Sequence, residues 1–84
     1  MTFELYTDVA LACDVPKYRL RRGDILRLVD HHVGPDGEEG YSAEVLGAKG
    51  QTLAVVAVSA KSLEPLHDDE ILSVRSTGEA HPFA

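Results

Sequence analysis

The sequence predicts an all-β domain folded as a small antiparallel barrel, and three observations carry that prediction. Short apolar runs rich in Val, Ile and Leu recur along the chain, Gly, Pro and Asp punctuate them at regular intervals, and no stretch makes a convincing helix. The chain has 84 residues, 44% hydrophobic and 26% charged. That is the composition of one folded domain, and a domain of this size buries only roughly 60 to 65% of the surface its unfolded chain exposes. A deep, enclosed catalytic site is therefore not expected in a lone protomer.

The elements follow in order. A first strand is expected over residues 8–12, with Val9 and Leu11 on one face, and Asp14-Val15-Pro16 ends it because proline donates no ladder hydrogen bond and restricts the residue before it. Leu20 to Asp24 reads as a turn, with Gly23 at the position where a type II turn needs a positive φ. It feeds a long strand over residues 25–33. Gly34 to Gly40 is a loop with Pro35 at a turn's second position and Asp36-Gly37 behind it. Residues 41–46 alternate, with Tyr41, Ala43 and Val45 on one side and Ser42 and Glu44 on the other, the mark of a strand with one wet face. Gly47 to Gly50 closes a hairpin into residues 52–59. There Leu53 to Val58 is continuously apolar, which fits either a central strand covered on both sides or a strand with one face at an interface. Residues 59–62 have the composition of a single 3₁₀ turn, residues 63–66 form a short fifth strand, and Ile71 to Arg75 alternates as a sixth strand would.

Five to six short strands with a 3₁₀ turn before the last short one describe an SH3-like barrel over residues 1–75, followed by a flexible tail over residues 76–84. An OB-fold would need a longer meander and a helix that residues 46–52 cannot accommodate. The framework L-x-x-D-V-A-L-x-x-D-V-P (Leu5 to Pro16), L-R-x-G-D (Leu20 to Asp24), G-Y-x-x-E-V (Gly40 to Val45), A-V-V-x-V (Ala54 to Val58) and L-x-P-L (Leu63 to Leu66) resembles a family of small bacterial proteins built on a domain of unknown function. It departs from that pattern at Arg19, where the family is expected to carry glycine. The resemblance implies an SH3-like barrel and no activity of its own. In members that look like companions of toxin-type or secondary-metabolism genes, it implies an accessory role beside a neighbouring gene product.

The formal charge is -6, from 14 acidic and 8 basic residues, which argues against a protein whose main task is to neutralise phosphates. The basic residues are unevenly spread: Lys17, Arg19, Arg21, Arg22 and Arg27 crowd into residues 17–27 and leave the remainder acidic. A single cysteine, with no zinc-ligand spacing, predicts a reducing cytoplasm and no disulfide. Val9 to Cys13 looks superficially like a lipoprotein cleavage site but lacks the basic and apolar regions a signal needs, and no run is long enough to span a membrane.

Three constellations tempt a chemical reading. His31-His32 suggests a metal, but neighbours on a strand point to opposite faces and cannot chelate one ion without a bulge. Arg22-Gly23-Asp24 is an adhesive tripeptide that the turn already explains. Cys13 precedes Asp14 rather than a cation or a helix start, so a buried or merely tolerated thiol is the better reading than a nucleophile. No catalytic set, metal, cofactor or small-molecule substrate is expected.

Above this background stands the basic cluster. Tyr18, Arg19, Arg21, Arg22 and Arg27 are the candidate partner-binding residues, able to meet an acidic surface on another protein or on a second copy. The expected function is thus a non-enzymatic protein-interaction module, self-associating or accessory to another gene product. The alternative is an RNA-binding barrel using the same basic loop, for which the aromatic content of 6% offers few stacking partners.

Overall fold

The computed structural model describes residues 3–76. Five antiparallel strands form one sheet: β1 (Asp8–Leu11), β2 (Ile25–Val33), β3 (Glu39–Leu46), β4 (Thr52–Ser59) and β5 (Leu63–Pro65), in the order β4-β3-β2-β1-β5. The only helical pieces among the described residues are two 3₁₀ turns, Pro16–Tyr18 and Ala60–Ser62. The chain is all-β and barrel-like, with the expected strand order: a meander, a 3₁₀ turn, and a last short strand that returns to the first, pairing Val9 with Pro65 and Leu11 with Leu63. The flexible tail expected over residues 76–84 lies, apart from Ser76, outside the described residues.

Turn chemistry sets the registers. Asp24 N–H donates to the Arg21 carbonyl at 3.0 Å with Gly23 at φ 91°, the expected type II turn. The β2–β3 and β3–β4 hairpins share one construction. Gly37 N–H closes on Gly34 and Gly50 N–H on Gly47, each at 2.9 Å, and Gly37 and Gly50 both take a positive φ. A left-handed residue just after a type I turn is the standard three-residue hairpin connection, and it aligns the strands without splaying them. Ser59 ends β4 by accepting the Lys61 N–H at 3.3 Å on its hydroxyl, which starts the second 3₁₀ turn.

The core is the inner face of the sheet. Leu11, Leu26, Leu28 and Tyr41 are its largest fully buried side chains, joined by Val9, Leu20, Ala43, Val45, Val56, Val58 and Leu63. The alternation read for β3 is the one observed. Tyr41 fills the centre; its hydroxyl accepts the Phe3 N–H at 2.9 Å, and Phe3 packs edge-on against its ring at 6.0 Å between centroids. The segment before β1 is thereby folded onto the barrel.

Two expectations are corrected. Of the two readings of Leu53 to Val58, the central strand covered on both sides is excluded, because β4 ends the sheet, with Val56 and Val58 facing the core while Leu53 and Val55 are 47% and 63% exposed. Ile71 to Arg75 forms no sixth strand. Ahead of it, the Glu70 N–H donates to the His67 carbonyl and the Glu70 carboxylate accepts the His67 N–H, closing a turn on Asp68-Asp69. Alternation alone cannot make a strand where the sheet edge it needs lies elsewhere.

Candidate functional site

The basic cluster sits on the connection between β1 and β2, which folds back on itself. Val15 and Leu20 form an isolated antiparallel bridge around the first 3₁₀ turn, and the Leu11 N–H and Gly23 N–H tie the two legs of the connection together. Leu20 turns into the core, so the residues flanking it face outward. Arg19, Arg21 and Arg22 are exposed on the returning leg.

Two carboxylates are threaded through those arginines. Asp14 accepts the Arg22 N–H at 2.9 Å and Asp24 the Arg21 N–H at 2.8 Å. Asp24 also receives the Arg75 guanidinium on both its oxygens, Nε at 2.9 Å and Nη2 in a second, short contact, while Nη2 reaches the Arg19 carbonyl at 3.2 Å. Burial pushes the Asp24 carboxyl up, but the Arg75 hydrogen bonds, the Arg21 amide and the charges of both arginines outweigh it and hold the carboxyl below its ordinary range. Asp24 is thus a structural clip, and its place in an Arg-Gly-Asp tripeptide reflects the turn.

The five candidate residues do not form one continuous patch. Arg27 lies on β2 directly opposite Asp8 of β1, with Nε 2.9 Å from its carboxylate, and it pairs in register with Glu44 on the other side. Its charge is answered on both flanks. Tyr18 is half-buried against the core with Lys17 Nζ 5.2 Å from its ring centroid, so its face is already covered. Arg21 and Arg22 keep exposed side chains on the returning leg.

Arg19 has a left-handed backbone, φ 59° and ψ 29°, and caps the 3₁₀ turn by donating its N–H to Pro16. That conformation is why glycine suits the position. Arg19→Gly is expected to raise stability by up to about 1 kcal/mol, since a side chain in this region costs on that order; a lower urea midpoint than wild type would contradict it.

The histidines separate as strand geometry requires, despite a register shift between Leu28 and Asp30. His31 stands opposite Tyr41 and stacks on it at 4.9 Å, with a buried Nε2 that has Glu39 at 3.6 Å and no hydrogen bond. His32 points the other way, sharing a 2.7 Å hydrogen bond with the Ser42 hydroxyl. Asp30 is 4.0 Å from that same Nε2. A serine nucleophile needs the carboxylate on the ring's other nitrogen, so this trio is not arranged as a triad. No group of three His, Cys, Asp or Glu side chains among the described residues is placed to hold a metal. Cys13 is exposed, so it is not the buried thiol of the two readings.

Sequence reasoning missed two features. Arg75 ends the alternating stretch in the sequence, and its bond to Asp24, 51 positions away, has no local signal. The apolar run in β4 was visible, but not that its outward half would be bare, because that depends on the strand's place in the sheet.

A family described as Domain of unknown function (DUF4926) matches the chain over residues 5–65. The chain belongs to this family. The DUF4926 match runs through all five strands and ends at Pro65, the last residue of β5. No curated protein and no solved structure matches the chain. No helix among the described residues is long and apolar enough to cross a membrane.

Proposed function

We propose that this DUF4926 domain is a non-enzymatic protein-interaction module whose main contact is β4. One observation carries the reading: β4 ends the sheet, offering unpaired backbone groups along its free edge beside the exposed side chains of Leu53 and Val55. Long, apolar edge strands invite pairing with another chain, and proteins that must remain apart blunt them with charge, proline or bulges. Between Thr52 and Ser59 there is no charge and no proline, and the register shift at Leu53 leaves the run from Ala54 to Ser59 regular. Strand addition to such an edge draws affinity from main-chain hydrogen bonds and selectivity from alternate side chains.

Arg21 and Arg22 supply a second, electrostatic contact for an acidic surface. The RNA-binding alternative has less behind it: Arg27 is paired, Asp14 and Asp24 dilute the remaining arginines, and Tyr18 is covered on one face.

The test is the double variant Leu53→Lys/Val55→Lys, compared with wild type for mass in solution by light scattering and for proteins retained from an extract of the native cells. Both substitutions fall on exposed positions and leave the core intact. Loss of a self-associated species, or of particular retained proteins, is expected; if mass and retained set are both unchanged, β4 is not the contact.

A further inference from the structure

The structure contains a sheet edge without a strand and, on the same chain, a strand sequence without a sheet. Ile71, Leu72 and Val74 are 93%, 68% and 87% exposed and belong to no regular element. This short apolar stretch is bracketed on both sides. The His67–Glu70 turn fixes its start, and Arg75, clamped on Asp24 and bonded to the Arg19 carbonyl, fixes its end. It is held against its own body at both ends with its side chains outward.

We propose that Ile71–Val74 of one copy adds to the β4 edge of a second copy, a deepening that rests on the reading of β4 as the contact strand. The pairing is antiparallel, as in the rest of the sheet, and sets Val74 opposite Leu53 and Leu72 opposite Val55. Beyond the register shift at Leu53, β4 alternates with period two, so this register places Leu72 beside Val55 on the outer face and Ile71 beside Val56 on the core side, with Val74 opposite the shifted Leu53. A slip by one residue would put Ser73 opposite Leu53 or Val55 and lose both pairs.

The charges favour this direction. Antiparallel docking brings the Asp68-Asp69 turn to the end of β4 that Lys61 follows and keeps it away from Glu44, whose carboxylate is tied to Thr52 at the start of the strand. Glu38 also lies near that first end, and the hydrogen bond it accepts from Ser59 leaves its charge in place, so the attraction there rests on Lys61. The reverse direction would place the acidic turn beside Glu44.

The occupant is a second copy and not the chain's own segment. Asp24 immediately precedes β2, and two strand spacings separate β2 from β4, with a third needed to reach beyond its edge. Three spacings of roughly 4.8 Å exceed what an arginine side chain bridges, so docking within one molecule would break the Arg75–Asp24 clamp. Between copies the clamp stays closed. Each copy carries both features, so a two-fold exchange covers both edges in one closed dimer.

The experiment uses the full chain in a Cys13→Ser background, since Cys13 is exposed and would pair on its own. Val55→Cys/Leu72→Cys is oxidised with glutathione disulfide at protein concentrations where wild type shows a dimer by light scattering. Val55→Cys/Ser73→Cys is the out-of-register control. A covalent dimer from the first pair and little from the second is expected. In parallel, Leu72→Lys/Val74→Lys, at positions too exposed to affect folding, is expected to weaken dimerisation at least tenfold. If Leu53→Lys/Val55→Lys abolishes the dimer and Leu72→Lys/Val74→Lys does not, β4 remains a contact and the proposed occupant is wrong. A disulfide at monomer mass overturns the second copy, and a wild type that stays monomeric at all concentrations overturns the exchange while leaving β4 free for another protein.

Discussion

Tyr41→Ala is expected to be the most damaging single substitution, lowering stability by about 3–5 kcal/mol, the range for removing a buried aromatic ring. Total stability for a chain of this size is of the order of 4–13 kcal/mol, so the variant would stand near the threshold of folding. The damage has two parts. The ring is 1% exposed at the middle of β3, where Phe3 and His31 both pack on it, and nothing nearby can move in to fill the space without dragging a strand. The hydroxyl holds the Phe3 N–H, which ties the segment before β1 to the barrel. Tyr41→Phe separates these parts, because it keeps the ring and loses only the hydrogen bond, at a cost of about 1 kcal/mol. Urea denaturation of the pair measures both, with an unchanged slope showing that only stability has moved. Nearly equal losses would mean that the hydroxyl, not the packing, dominates.

Asp24→Ala is expected to cost about 1–3 kcal/mol at neutral pH, the range for hydrogen bonds to charged groups, with the lower part favoured because the clip is partly solvent-exposed. The loss falls in two places, the type II turn before β2 and the clamp on Arg75. Its pH dependence has a definite sign. The folded carboxyl is held below its ordinary value of 3.8, so in the interval between the two values the unfolded chain binds more protons and stability falls with acid. The contribution is complete above about pH 5 and disappears as pH drops through the folded value. The gap between wild type and Asp24→Ala should therefore be constant from neutral pH down to that point and then narrow. A gap that widens in acid would refute the assignment. Amide exchange should also quicken over residues 71–76, whose tether to the barrel this is.

The strands were legible because each is announced locally. β2 and β4 begin and end where the turn residues place them, and the inward side of β3 follows from Tyr41, Ala43 and Val45 alone. What the sequence could not supply depends on which elements become neighbours. Leu53 and Val55 look the same in a central strand as at an edge, and only the order of the sheet decides. Arg19, Arg21 and Arg22 share one connection, as their crowding in the sequence implies, whereas Arg27 lies on β2. The cluster's composition hid the answering carboxylates, since Asp8 meets Arg27 across a strand pair and Asp14 reaches Arg22 across a folded loop. Arg19 is a different case, in which a departure from an expected glycine coincided with a left-handed backbone, a local rule readable before any coordinates.

The pairing of β5 with β1 governs the order in which the domain is assembled. The two hairpins join strands that are close in sequence, so they can form as soon as their own turns exist. Val9 and Pro65 are partners from opposite ends of the sheet's chain, and their contact closes a loop containing every other strand. During synthesis, β1 therefore has only β2 beside it until Pro65 has emerged, and the native sheet is completed in a single late step. Substitutions at the Gly37 and Gly50 turns should act mainly on how fast folding begins. Those at Leu63 should act on how long the finished barrel stays closed.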